Sequence, residues 1–299
     1  MTELPEKLRP YEFHGLVLRK STRGNEYVGS CPFCDREDKF YVNSLTGMSK
    51  CFVCDVGSSK AGMNVYTFIR ELHKLSFDAT KTTDFQWMAD HVSLLDLQSV
   101  VEWQLAKSMS TGDWLVPGYN PQGQMVTLYR YIKQFDGGYR AIPTPGLGHQ
   151  IHGLNLWDNS KPIAYICEGW KDSITLWEAL TKGKNTSEGI GPTASRESSL
   201  YAQANVIAVP GAAIFFESWA QLFENKVVNL MFDSDHPKKH PKTGHVSPGA
   251  GWHHMERIAK LLAAGKHKPQ EINCIYWSKD GYNPEVKSGY DVRDFLTEA

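Results

Sequence analysis

The sequence lacks a surplus of either charge: 32 Lys and Arg stand against 33 Asp and Glu, a formal net charge of -1. That excludes binding of polyanions through overall basicity and leaves such binding to local patches. No apolar run approaches the roughly 20 residues needed to span a bilayer. The opening MTELPEKLRP has no apolar stretch of the kind found in secretory leaders, so an intracellular protein without a membrane partner is expected. There is no G-x-x-x-x-G-K-[ST] sequence of the P-loop kind. Internal repeats and long low-complexity tracts are also missing. Cysteine is scarce, with six residues, and four of them fall in two tight pairs. That pattern argues against a disulfide scaffold and for metal binding in a reducing compartment. Cys167 and Cys274 sit in apolar strand-like runs and read as small buried hydrophobes. What is present, 41% hydrophobic and 12% aromatic residues over 299 positions, suffices for one large domain or two smaller ones.

Residues 1–76 read as a first unit. YEFHGLVLRK and NEYVGS look like short strands, and KFYVNSLTGMSKCFVC looks like a hairpin turned near Ser44 to Gly47. In NVYTFIRELHKL, Val65, Phe68, Ile69 and Leu72 recur at helical spacing. The polar FDATKTTDF suggests a linker at 77–86. A helix over about 86–107 is expected next, then a β-meander over 113–143. After Pro162 strands and helices alternate: IAYICEG, a helix, ANVIAVPGA, a helix around 214–224, KVVNLMFDSD, a helix, EINCIYW and a last helical turn. That alternation predicts a parallel α/β sheet, whose sites lie at the carboxyl ends of strands.

Cys31, Cys34, Cys51 and Cys54 form C-x2-C-x16-C-x2-C. Each knuckle offers two thiolates from one tight turn, and zinc takes four tetrahedral ligands, so a closed structural zinc site is expected. Phe40, Tyr41 and Phe52 lie close by, as core residues of a small ribbon or as stacking platforms for bases. Further on, Glu168 ends one apolar strand, while Asp233 and Asp235 end another. Two acids at i and i+2 on a strand point the same way. A cluster of carboxylates is costly without a cation, so a divalent ion is the expected partner.

EGWKDSITLW (168–177), VPGAA (209–213) and FDSDHP (232–237) resemble the three successive motifs of a Toprim domain. GSCPFC, KFYVN, CFVC and NVYTFI resemble the zinc-binding domain of DnaG-type and phage primases. LVPGYNPQGQMVTLYRYI, YRAIPTP and IHGLNLW resemble the basic subdomain that precedes Toprim in those primases. The resemblance covers nearly the whole chain in the family's order. It implies an α/β Toprim catalytic core, a preceding mixed α+β basic subdomain and a small N-terminal β zinc-ribbon domain. The corresponding divisions are 1–76, a linker at 77–86, 87–160 and 161–299.

By that resemblance the four cysteines hold zinc, with Cys34 in place of a frequent histidine. Glu168, Asp233 and Asp235 would be catalytic and would bind Mg2+ or Mn2+ together with Asp291 and Asp172. Where the family commonly has a second acid after Asp291, this chain has Arg293, followed by Asp294. Arg130, Lys133, Arg140, Lys171, Lys238 and Lys239 would bind nucleotide or template. The loop 236–251, with Lys242, is longer than its counterpart and reads either as a triphosphate attractor or as a polar insertion. The implied activity is synthesis of short RNA primers on single-stranded DNA from ribonucleoside triphosphates, alongside a separate replicative helicase. A bacterial cytoplasm is implied, with the gene carried by the cell, a phage or a plasmid. A Toprim nuclease or topoisomerase, or a non-catalytic zinc-ribbon nucleic-acid binder, are the alternatives.

Overall fold

Residues 4–54, 56–57, 62–92, 95–182, 203–239, 241–247, 249–277 and 285–298 are described by a computed structural model of the chain. Two compact units divide it, each drawing on separated stretches. The first combines Met1–Phe85, Gln104–Gly118 and Met125–Gln150; the second combines Gln86–Trp103, Tyr119–Gln124 and Ile151–Ala299.

In the first unit, α1 (Arg9–Phe13) precedes a four-stranded sheet of β1 (Arg19–Lys20), β2 (Glu26–Gly29), β3 (Phe40–Asn43) and β4 (Ser49–Cys51), paired antiparallel in that order. The β3–β4 hairpin closes as the sequence suggests. Asn43 Oδ1 accepts the backbone N–H groups of Leu45 and Thr46, and Gly47 takes φ 70°. Helix α2 (Val65–Ala79) starts at Asn64, whose side chain caps Thr67 N–H at 2.9 Å. A second four-stranded sheet follows the order β5 (Ala106–Lys107), β6 (Trp114–Tyr119), β7 (Met125–Lys133) and β8 (Tyr139–Pro143). Phe68, Ile69 and Leu72 of α2 share one core with Tyr11 and Phe40 on the cysteine side and Leu115 and Leu128 on the second sheet.

That shared core revises the expected division at 77–86. Phe77–Ala79 complete α2, and α3 (Thr82–Val92) begins three residues later. The apolar spacing runs on through the polar stretch. The Phe77 ring meets His73 at 6.2 Å and Phe85 at 5.7 Å. The single helix expected over 86–107 is instead α3 and α4 (Leu97–Glu102), after which Gln104 turns the chain at φ 56°; residues 93–94 lie outside the described set. The strand expected from Tyr11 begins only at Arg19. Pro10 sits in the first turn of α1, where it suits a helix, and Gly15 (φ 89°) breaks the run.

The second unit holds the α/β sheet. Strands β9 (Ile163–Cys167), β10 (Ala204–Ala208), β11 (Val227–Met231) and β14 (Glu271–Cys274) lie in the order β10-β9-β11-β14, all pairs parallel. Between β11 and β14 a short hairpin, β12 (Lys238–Lys239) with β13 (Val246–Ser247), occupies the long loop. Helices α5 (Trp170–Lys182), α6 (Ala250–Ala264) and α7 (Val292–Glu298) complete the unit. The helix expected at 214–224 is a 3-10 segment, Glu217–Phe223. Because β10 and β11 flank β9 on opposite sides, the carboxyl end of β9 is a topological switch point, where such sheets leave a crevice.

Candidate metal centres and basic surfaces

The four cysteine sulfurs of the first unit all lie within 4.8 Å of one another. Cys31 and Cys54 Sγ are 3.6 Å apart, and Cys34 and Cys51 Sγ are 3.8 Å apart. Sulfurs about 2.3 Å from a tetrahedral zinc stand about 3.8 Å from each other, so the donor set fits zinc closely. Asp35 at φ 54° closes the first knuckle, with its N–H on the Cys31 carbonyl at 3.0 Å. Backbone N–H groups of Phe33 and Val53 point at Cys31 and Cys51 sulfur at 3.4 and 3.3 Å. With four thiolates, the site is closed and structural in design.

Beside this cluster, the three aromatics divide. Phe40 is fully buried, so it belongs to the core and has no face for a base. Phe52 is 58% exposed and meets Tyr41 edge-on at 5.1 Å. Arg23 lies over both rings, at 5.0 Å from Tyr41 and 5.7 Å from Phe52, and Lys50 lies 5.6 Å over Phe52. These residues, with Glu26 and Asn43, line a groove of about 430 Å³.

The carboxylates of the second unit are gathered by strand register. Cys167 pairs with Met231 across β9 and β11, so the residues that follow each strand emerge side by side. Glu168 lies near enough to Asp235 and Asp172 for their charges to raise its carboxyl. Asp233 and Asp235 are half-buried, while Ser234 between them is fully buried and donates its N–H to the Tyr290 carbonyl at 2.8 Å. That bridge brings Asp291 alongside. Two glycines at the start of α6 let the helix approach. A Cβ on Gly249 would lie 1.9 Å from the Asp235 carbonyl oxygen, and one on Gly251 would lie 2.4 Å from that of Asp233. Gly251 N–H donates to Asp235 Oδ2 at 2.9 Å. These glycines were not singled out by sequence; the P-G-A-G run ahead of α6 was the signal available.

Burial, then the charges of Asp235 and Asp172, push the Glu168 carboxyl up to about 7. Burial and Glu168 push Asp233 up to about 10. Burial and Asp291 push Asp172 up to about 6, against the pull of Arg293. Glu168 Oε2 is buried without a hydrogen-bond partner. A cluster that retains protons and carries an orphaned oxygen suits a hard divalent cation. Among the described residues, however, only the cysteines bring three or more ligand atoms within 4.8 Å of one another, so the acids are spaced more widely than a closed ligand set. Glu168, Asp233 and Asp235 follow the ends of two neighbouring strands. Asp172 and Asp291, also expected as ion ligands, accept hydrogen bonds from Arg293, at 2.8 and 2.5 Å.

The basic residues scatter. Arg130, expected to meet template or nucleotide, is committed inside its own unit. Its Nε and Nη2 donate to Asp113 Oδ2 and its Nη1 to the Phe13 carbonyl, while Phe13's ring lies 4.9 Å away. The half-buried carboxylate of Asp113 explains the difference, since a guanidinium beside it is a local counter-charge. Arg140 and Lys133 are exposed, with Arg140 on the Arg130 face of the β7–β8 hairpin and Lys133 on the other, by register. Lys171 is in the first turn of α5 beside Asp172, its ammonium pulled down by burial and by Arg293. Lys238 and Lys239 are exposed on β12, and the loop carrying them is paired into a hairpin; positions 240 and 248 lie outside the described residues.

Residues 14–94 match the family model of the CHC2 zinc finger. No curated protein matches the chain by sequence. Among solved structures, the DnaG catalytic core is 13% identical with TM-score 0.50, covering 78% of this chain and 75% of its own. The Aquifex aeolicus primase, with zinc-binding and RNA polymerase domains, is 18% identical with TM-score 0.43, covering 100% and 83%. The E. coli primase catalytic core is 10% identical with TM-score 0.47, covering 79% and 76%. At such identities the likeness is one of fold. No helix among the described residues is long and apolar enough to cross a membrane. The chain thus carries a segment that matches the CHC2 zinc finger, and over most of its length it shares the fold of the DnaG catalytic core.

Proposed function

We propose that this protein is a DNA primase that joins ribonucleoside triphosphates on single-stranded DNA, with β9, β10, β11 and β14 as its Toprim core. The observation that carries the reading is the convergence of Glu168, Asp233 and Asp235 at the carboxyl ends of two adjacent parallel strands. Magnesium or manganese held there would lower the cost of charge on the attacking 3′-oxygen and the departing pyrophosphate. The 3′-hydroxyl gives up its proton, its oxygen bonds to the α-phosphorus, and the bond to pyrophosphate breaks. Glu168, at the end of β9, would take that proton. Asp233 and Asp235 would hold that ion, whose charge would help to orient the phosphates. Lys171, Lys238 and Lys239 add positive charge near the crevice for the triphosphate. Arg140, Lys133 and the Arg23–Lys50 groove are the candidates for template contacts, a salt-sensitive contribution. A separate helicase would supply unwound template.

The test is dinucleotide synthesis on single-stranded DNA with labelled ribonucleotides and magnesium. Asp233→Ala is expected to remove product by at least about a hundredfold, the scale of losing a principal charge-stabilising group, while the far-UV spectrum stays unchanged. Normal synthesis by that variant would refute the assignment.

A further inference from the structure

Arg293 links two acids of the cluster. Its Nε donates to Asp172 Oδ1 at 2.8 Å and its Nη2 to Asp291 Oδ2 at 2.5 Å. The other oxygen of Asp291 is occupied as well, since Oδ1 accepts the N–H groups of Arg293 at 2.8 Å and Asp294 at 3.0 Å and so caps α7. Both carboxylates are buried, whereas the Arg293 side chain is 31% exposed at the edge of the cluster. A magnesium ion requires near-octahedral oxygen geometry at about 2.0–2.1 Å. To reach Asp172 and Asp291 it would have to break two charge-assisted hydrogen bonds and face a fixed positive charge. Among the described residues Glu168, Asp233 and Asp235 carry no such partner; Asp235 Oδ2 accepts the Gly251 N–H, and Glu168 Oε2 is buried without a hydrogen bond.

We infer that Arg293 is a built-in cation that takes the place of one divalent ion at the Asp172–Asp291 side, leaving Glu168, Asp233 and Asp235 to hold a single ion. The inference rests on reading those three acids as a divalent-ion site. It makes Asp172 and Asp291 positioning residues that hold the guanidinium. It also gives the cluster a permanent donor, able to face a phosphate without any ion being loaded.

The experiment counts manganese bound per zinc-loaded full chain by paramagnetic resonance titration of free Mn2+. The native chain is expected to bind one ion, and Asp235→Asn none. Arg293→Asp should raise the count to two, and Arg293→Gln should do the same if the aspartate variant fails to fold, as judged by thermal unfolding. Arg293→Lys, which keeps the charge, should stay at one. A merely structural arginine would lower the melting temperature and leave every count unchanged. Two ions in the native chain, one in both the aspartate and glutamine variants, or two in the lysine variant would overturn the role given to Arg293. No ion in the native chain would instead overturn the site reading itself, and the inference with it.

Discussion

The two charged clusters of this protein are built in opposite ways. The four thiolates come from two knuckles between 31 and 54, joined by one hairpin, and their sulfurs already stand at the spacing of a tetrahedral ion. The carboxylates come from three distant stretches, gathered by a parallel sheet and by the Ser234–Tyr290 bridge, and among the described residues no three of them bring ligand atoms within 4.8 Å of one another. A closed set of soft donors holds a fold together. An open set of hard donors leaves room for a substrate's oxygens to finish the coordination.

The strongest way to break this contrast is to remove the zinc. Cys51→Ser, or stringent chelation, should abolish cooperative unfolding of the first unit, because structural zinc contributes on the order of 10 kcal/mol to such modules. Calorimetry reads this directly, and manganese binding by the carboxylates should survive. Survival of an unchanged unfolding transition would mean that the shared core of Tyr11, Phe40, Phe68 and Leu128 suffices without metal.

A smaller effect is expected at the groove beside the zinc cluster. Phe52→Ala should weaken single-stranded DNA binding by about 1–3 kcal/mol if its exposed ring stacks on a base. Phe40→Leu should alter stability and leave DNA affinity alone. Fluorescence anisotropy at two salt concentrations separates stacking from charge, since only the latter depends steeply on salt. Equal loss in both variants would place the effect on folding.

The smallest effect sharpens the picture of the open cluster. Glu168, Asp172 and Asp233 hold their protons more tightly folded than unfolded. Folding therefore takes up protons, and stability falls as pH rises. The window runs from the ordinary 4.5 to about 7 for Glu168, from 3.8 to about 6 for Asp172, and on toward about 10 for Asp233. In zinc-replete, magnesium-free buffer, the second unit's melting temperature should drop by a few degrees between pH 5 and pH 8. Magnesium should restore it at pH 8 and do little at pH 5. A melting temperature that rises over this range would sink the electrostatic account.

Sequence alone reached the thiolate cluster, the parallel strands and the acids at their ends. Each of these is written in short-range chemistry. A Cys-x-x-Cys turn brings two sulfurs together within four residues, and runs such as IAYIC, ANVIA and VVNLM suit only strands buried on both faces. The linker reading at 77–86 failed because the polar FDATKTTDF conceals Phe77 and Phe85, whose rings keep packing across the helix break. The readings of Arg130, Asp172 and Asp291 depended on something no local pattern contains, namely which opposite charge arrives from elsewhere in the chain.

What the residue order determined, then, is the inventory: a four-sulfur ligand set, apolar strands, and acids placed where strands end. What tertiary structure alone decided is how charges pair. Asp113 claims Arg130, Arg293 claims Asp172 and Asp291, and Glu168, Asp233 and Asp235 gather at the ends of two neighbouring strands. The reason is that turns and strands follow from neighbours in sequence, whereas the energy of a buried charge depends on its distance to every other charge once the chain has packed.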